Sequence, residues 1–333
     1  MQSIKQLNHK ILEFTHSDVN LNDENLFCSN SWVQSIQSTF GSKLYGIFTY
    51  DSEDNIVAIF TFYILKKRLF TIYGAPIPGS FIPYQDPIIF SPEYKPQKNN
   101  IVVLQIRKIL EQFNCSYFEF RSASNDLINH LAKQIIGKVE FPSTYIIDLM
   151  DEELNWKMMK DKTRNMVKKA IKNDVKPIVT VPSDKNIDIF YDLLTQTFKR
   201  SGKKPLHSKK FIKTLINNLY NDDKLLFLSI QKENQIHSMG LFAHDKNTIH
   251  FISGASNISS FKYGSNNLMQ WEVIKYAISK KIKKYDMGGR GINSIDKFKE
   301  GFGGKIHYYG KFTKKTLSMR TMEVAYKFLR SYY

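Results

Sequence analysis

The chain has 333 residues, 48 basic against 31 acidic side chains, and a formal charge of +17. At 42% hydrophobic and 14% aromatic it holds ample material for packed interiors, which excludes a disordered chain, and its length suits two domains. The basic excess favours anionic partners such as nucleic acid, phosphorylated cofactors, nucleotide-linked precursors or an acidic membrane face, although a solvated Lys-rich surface gives the same charge.

The pattern predicts a short helix over residues 32–40, capped by Ser29 or Asn30. Strand-like runs follow at 43–50, 55–65 and 68–73. Gly74, Pro76, Pro78 and Gly79 then break regular structure, because prolines remove backbone donors and glycines permit unusual dihedrals. The loop 81–87 extends that break. A helix over 100–113 sets Val103, Ile106 and Leu110 at helical spacing. A strand at 117–121, a helix at 125–135 and a strand at 144–149 complete the first half.

A basic helix is expected over 152–173, with Met159, Thr163, Met166, Val167 and Ala170 on one stripe and Lys160, Arg164, Lys168 and Lys172 on another. No Pro/Gly/Ser-rich linker is visible, so this helix marks the boundary between expected domains 1–150 and 151–333. The second half reads as a strand at 176–181, helices at 187–199 and 208–220, and strands at 225–231, 236–244 and 248–254. A helix over 266–280 capped by Ser265, a strand at 284–287, a short helix at 295–299, a strand at 305–313 and a helix at 320–330 follow. Both halves share one order: three strands, helix, strand, helix, strand. That is an internal duplication by element order, without visible sequence repetition.

Cys28 and Cys115 show no CxxC spacing and no neighbouring His cluster, which speaks against zinc and disulfide frameworks and for a reducing compartment. The first 14 residues alternate polar and apolar, so no signal peptide is expected. No stretch approaches the ~20 apolar residues of a membrane span. A cytoplasmic protein without a bound metal is the expectation.

Two segments carry candidate chemistry. The strand ending in Ser253, Gly254 and Ala255 leads through Lys262 and Gly264 to a helix opening at Ser265 and Asn266. A helix N-terminus has free N–H groups and partial positive charge, so this loop is a candidate anion site; an ordinary capped helix is the plainer reading. The second segment is Tyr285-Asp286-Met287-Gly288-Gly289, followed by Phe298-Lys299-Glu300-Gly301-Phe302-Gly303-Gly304. Neither fits the dinucleotide fingerprint or the phosphate loop, and glycines after a strand let backbone approach a ligand.

These residues resemble the carboxyl-terminal signature of FemAB-like transferases, a branch of the GNAT superfamily: a helix from Asn266 to Glu272, a strand ending in Asp-x-Gly-Gly, and a Phe-Lys-x-x-Phe-Gly-Gly segment. Residues 162–170 resemble the family's basic helix, and the loop 74–87 its Pro/Gly loop. The resemblance implies two tandem GNAT-like α/β domains, each a mixed, mostly antiparallel sheet flanked by helices. It implies an N-acyltransferase with no permanently bound cofactor. The donor would be an acyl-CoA or acyl-carrier thioester, and the acceptor an amine of an amino sugar or envelope precursor. An aminoacyl-tRNA-dependent transferase building peptidoglycan bridges is the alternative, and peripheral contact with the inner membrane face would fit either. The long coiled-coil insertion of some tRNA-using members is absent from this sequence. A non-catalytic nucleic-acid-binding protein is the reading from another class. The basic helix favours it, and the lack of interleaved aromatics counts against it.

By the same resemblance, residues 252–256 and 286–289 surround the reaction centre, where two strands part and leave backbone N–H groups for the donor. Lys299 would stabilise the oxyanion or a donor phosphate, and Asp286 would orient the amine or take its proton. Ser253, Gly254, Ala255, Lys262, Gly264, Ser265 and Asn266 would bind the donor. Arg200 would clamp an acceptor phosphate, with Tyr84 and Asp86 lining the acceptor cleft; a basic helix end is the plainer reading of Arg200. His207, His237, His244 and His250 are assigned no role beyond structure or surface.

Overall fold

The computed structural model describes residues 7–13, 25–67 and 70–322. The chain forms two compact units, one of residues 1–19, 36–142 and 308–333, the other of residues 20–35 and 143–307. Each is an α/β unit built on one mixed sheet.

In the first unit the strands Asn8–Glu13, Lys43–Tyr50, Ile56–Lys67, Phe70–Ala75, Tyr117–Ser122, Gly310–Lys315 and Lys138–Glu140 lie side by side in that order. Ile88–Ile89 pairs with Ile56–Lys67 off this path. Phe70–Ala75 and Tyr117–Ser122 run parallel, joined through the helix Lys98–Gln112, and the other neighbouring strands pair antiparallel. The core gathers Phe60, Phe62, Ile106, Phe118, Phe120 and Phe312. Removing each such side chain from water contributes roughly 1.5–3 kcal/mol.

The second unit orders Lys305–Tyr308, Ser143–Asp148, Lys284–Gly289, Thr248–Ser256, Gln235–His244, Leu225–Lys232 and Lys176–Val179. Residues 237–244 are buried on both faces, as befits a central strand covered on each side. The helix Ser265–Ser279 is also buried nearly all round, through Leu268, Met269, Trp271, Val273, Ile274 and Ala277. It packs with Phe242, Ile249, Tyr285 and Met287 in one core.

The repeated element order has a structural counterpart. In both units a three-stranded antiparallel meander is followed by a helix, a parallel strand and a last strand. In both, one further strand is inserted between the last two: Gly310–Lys315 in the first, Ser143–Asp148 in the second. The inserted strand comes from the stretch of chain just past the other unit's last strand. The division therefore falls near residue 142 instead of 150, and the carboxyl-terminal strand completes the first sheet.

Two expected elements are split. The basic helix over 152–173 is two helices, Glu152–Met158 and Asp161–Lys172, with Met159 and Lys160 extended between them. Lys160 N donates to the Gly301 carbonyl at 2.9 Å, and Arg164 Nη1 caps the first helix by donating to the carbonyls of Lys157 (3.0 Å) and Met159. The single strand over 305–313 breaks at Tyr309, whose two sides belong to different sheets. The helix expected over 320–330 lies mostly outside the described residues; residues 317–322 are helical. Among the described residues no helix is long and apolar enough to cross a membrane.

Candidate active site

The parallel pairing between Thr248–Ser256 and Lys284–Gly289 stops early. It covers Thr248–Lys284, Ile249–Tyr285 and His250–Asp286, and no further pair follows. Just beyond, both strands slip against their outer neighbours. The register with Gln235–His244 shifts so that Ile252 is an extra residue, and the register with Ser143–Asp148 shifts between Asp286 and Gly289. Two bulges at one level of adjacent strands bend each away from the other. A wedge opens whose facing edges, residues 251–256 and 287–289, do not pair with each other.

Gly288 makes the second bulge possible. Its φ is +81°, a left-handed conformation that side-chain-bearing residues adopt at a cost. There its N–H donates to Asp286 Oδ1 at 2.8 Å, while its carbonyl and that of Gly289 accept from Lys299 Nζ at 2.9 and 2.7 Å. Lys299 sits on the helix Asn293–Glu300 and is 8% exposed. Burial pulls its pKa down to about 8, although the charges of Asp286 and Asp296 oppose the shift.

Asp286 is 3% exposed. Burial pushes its pKa up, but His250, the Thr144 hydroxyl and the Gly288 amide together outweigh that and hold it below the ordinary value. Thr144 Oγ1 donates to Asp286 Oδ1, and His250 Nδ1 lies 3.7 Å from Oδ2, a charge contact longer than a hydrogen bond. Phe27 covers the imidazole at 4.7 Å between ring centres, and Leu26 N anchors that turn to Asp245 Oδ2 at 3.1 Å. The carboxylate is thus held, charged, under the wedge.

A cavity of about 320 Å³ opens against the 251–256 edge of the wedge, walled by Phe251, Gly254, Ala255, Met269, Gln270 and Phe298 among others. Of the expected donor-binding residues, Gly254, Ala255 and Asn266 line it directly. Ser253 precedes Gly254 in the same strand, paired with Leu241 and buried. The turn at the helix start is covered. Gly264, not Ser265, is the capping residue, and a Cβ on Gly264 would meet the Met166 carbonyl oxygen at 2.5 Å. Ser265 is fully buried with its hydroxyl 3.4 Å from His237 Nδ1, and the amides of Asn267 and Leu268 donate to the Gly264 carbonyl. Lys262 is exposed over the Tyr263 ring at 5.3 Å.

Arg200 Nη2 donates to the Ser256 carbonyl at 2.7 Å and tethers the strand end beside the cavity. Tyr84 and Asp86 belong to the first unit. Asp86 accepts from the Ser122 hydroxyl and from Ala123 N (3.1 Å), closing its own loop, while Tyr84 packs 5.8 Å from the Tyr309 ring. His250, Thr144 and Gln270 were not singled out from sequence. Strand register alone brings His250 beside Asp286, and no local motif announces it. Among the described residues no group of three or more His, Cys, Asp or Glu side chains is arranged to hold a metal.

Residues 159–300 match the family model of the acetyltransferase (GNAT) domain. No curated protein matches the sequence. The fold is similar to the crystal structure of FemX, with a TM-score of 0.70, 11% identity, and coverage of 92% of this chain and 97% of that one. It is similar to a tandem GNAT protein from the clavulanic acid biosynthesis pathway (0.57, 6%, 93% and 98%). It is also similar to the C-terminal domain of a putative lysylphosphatidylglycerol synthetase from Agrobacterium fabrum (0.53, 11%, 84% and 87%). At such identities these likenesses establish the fold.

Proposed function

Since the chain has a tandem GNAT fold, with a match to the GNAT acetyltransferase domain in residues 159–300, we propose that it is a FemAB-like transferase that moves an acyl group from a coenzyme A or acyl-carrier thioester to an amine of an amino sugar or other envelope precursor. The observation that carries this reading is the parted strand pair with the Lys299 ammonium at its edge. Strand edges in a wedge offer unpaired N–H groups to the donor, and a fixed cation suits the charge that develops on its carbonyl.

An ammonium has three donors. Two are taken by the Gly288 and Gly289 carbonyls, which leaves the third for an oxyanion. The acceptor nitrogen attacks the thioester carbon, a C–N bond forms and the C–S bond breaks. The sulfur leaves as thiolate, and the proton lost by the nitrogen ends on that thiolate or on water. Asp286, whose Oδ1 accepts from Thr144 and from Gly288 N, fixes the bulge at Gly288, and the carbonyls of that bulge position Lys299. In this reading the protein works at the cytoplasmic face, where thioester donors are made.

A second reading, an aminoacyl-tRNA-dependent transferase, is favoured by one observation. The turn at Gly264–Ser265 is buried with the Met166 carbonyl against Gly264, which crowds the helix end where a diphosphate would be gripped. Calorimetric titration with coenzyme A, acetyl-coenzyme A and bulk tRNA at two salt concentrations separates the two. Saturable coenzyme A binding is expected. Salt-sensitive tRNA binding without coenzyme A affinity overturns the thioester reading.

A further inference from the structure

We infer that the cavity at the edge of the wedge selects the donor's acyl group, accepting an uncharged, mainly apolar group larger than acetyl that offers one hydrogen-bond acceptor to Gln270. This rests on the transferase reading and goes on to name the class of group transferred.

Size comes first. At roughly 30 Å³ per non-hydrogen atom, the volume of a water in the liquid, a cavity of about 320 Å³ has room for a group several times larger than acetyl. Its walls follow. Phe251, Met269, Ile295 and Phe298 supply apolar surface, Gly254 and Ala255 keep the strand side thin, and no lining side chain is charged. A succinyl carboxylate or a lysyl ammonium entering there loses its water and meets no opposite charge, whereas an aliphatic chain gains by leaving water.

Four polar side chains interrupt these walls, Ser256, Asn266, Gln270 and Ser294, and Gln270 is the one held by a fully buried partner. Gln270 is 4% exposed and lines the cavity. Its Oε1 accepts from the hydroxyl of the fully buried Tyr285, which fixes the amide plane. The Nε2 has no partner among the described residues and remains as a donor. An acyl group that brings an acceptor to this donor gains a hydrogen bond whose geometry the Tyr285 contact has already fixed, and a group without one gains nothing there. A hydroxyl or carbonyl on the acyl chain supplies that acceptor.

The test mounts acetyl, 3-methylbutyryl, 3-hydroxybutyryl and succinyl groups on three handles: coenzyme A, cysteamine as the bare thioester, and adenosine as the 3′ ester. Affinities are measured by calorimetry on the full chain. On every handle that binds, 3-hydroxybutyryl is expected about tenfold or more tighter than acetyl, and succinyl no tighter than the unacylated handle. Ile295→Trp, at a position 43% exposed and therefore safe for the core, fills the cavity and erases the preference while handle affinity persists. Gln270→Glu keeps an acceptor for Tyr285 but lowers the preference for 3-hydroxybutyryl over 3-methylbutyryl. Equal affinity for acetyl and the longer groups, tighter binding of succinyl, or an unchanged preference in Ile295→Trp overturns the inference. If coenzyme A fails while the adenosine esters show the trend, the thioester reading falls and the acyl selection stands. If no handle binds, both fall.

Discussion

Asp286 and Lys299 are joined through a single residue: the Gly288 N–H donates to Asp286 Oδ1 at 2.8 Å, and the Gly288 carbonyl accepts from Lys299 Nζ at 2.9 Å. The two bonds engage successive peptide planes that meet at the Gly288 Cα, so the two side chains are coupled through the φ and ψ of that residue. His250 and Thr144 hold the carboxylate from the far side, so the ammonium is positioned by a chain of contacts that begins outside the wedge.

Lys299→Met is expected to lower turnover by ~10²-fold or more, the scale lost with one oxyanion donor. Met has nearly the same length and leaves two carbonyls without their donor, so some loss of stability accompanies it. Steady-state kinetics beside a thermal melt separate the effects. Near-normal turnover in a folded variant removes Lys299 from the mechanism.

The pH dependence has two signs that must agree. With a folded pKa of about 8, Lys299 loses its proton above that pH, and turnover should fall there. Stability runs the other way. Between about 8 and the ordinary 10.5 the unfolded chain binds the proton that the folded one has released, so unfolding free energy rises with pH through that window. The slope is at most about 1.4 kcal/mol per pH unit. Below pH 8 the penalty for burying the cation is fully present. Denaturant titrations from pH 7 to 10.5 should show this rise in the parent and not in Lys299→Met.

Gly288→Ala tests the bulge. A Cβ there would find nothing nearer than Lys299 Nζ at 3.8 Å, so the cost comes from φ +81° and not from a clash. About 1 kcal/mol of destabilisation is expected, with a proportionally larger fall in turnover, because relieving φ turns the carbonyl away from Nζ. Chemical denaturation and kinetics on the same preparation check both. A variant as active as the parent would mean that the Gly288 carbonyl does not position the lysine.

Much of the fold was legible because periodicity is local. The strand over 43–50 and the helix over 125–135 were read from local pattern, and the structure has them at Lys43–Tyr50 and Asn125–Gln134. The Phe-Lys-x-x-Phe-Gly-Gly run pointed at Lys299 only through its resemblance to the family's segment. What failed depends on distant chain. The break at Met159–Lys160 answers to the Gly301 carbonyl, and the destination of Gly310–Lys315 to an opening beside Tyr117–Ser122. His250 carried no signal, since only register brings it to Asp286. The loop at Gly264 read as an open anion site because its sequence does not reveal that the Met166 carbonyl covers it.

Arg200 separates two roles that the sequence left open. Its guanidinium donates to the Ser256 carbonyl at 2.7 Å and to Thr197 Oγ1 at 3.2 Å, and the Thr197 hydroxyl also accepts from Ser256 N at 3.0 Å. The end of the strand that walls the cavity is thereby tied to the helix Asp184–Lys199. If that tether is its role, Arg200→Gln should cost about 1 kcal/mol of stability and weaken donor binding a few-fold by loosening Ser256. The salt dependence of binding should not change, because no phosphate contact is lost. A phosphate clamp predicts the opposite: little change in stability, and a salt slope of binding smaller by about one contact. Donor titrations at three salt concentrations, run beside a denaturant melt, decide between them. We expect the parallel salt slopes of a tether.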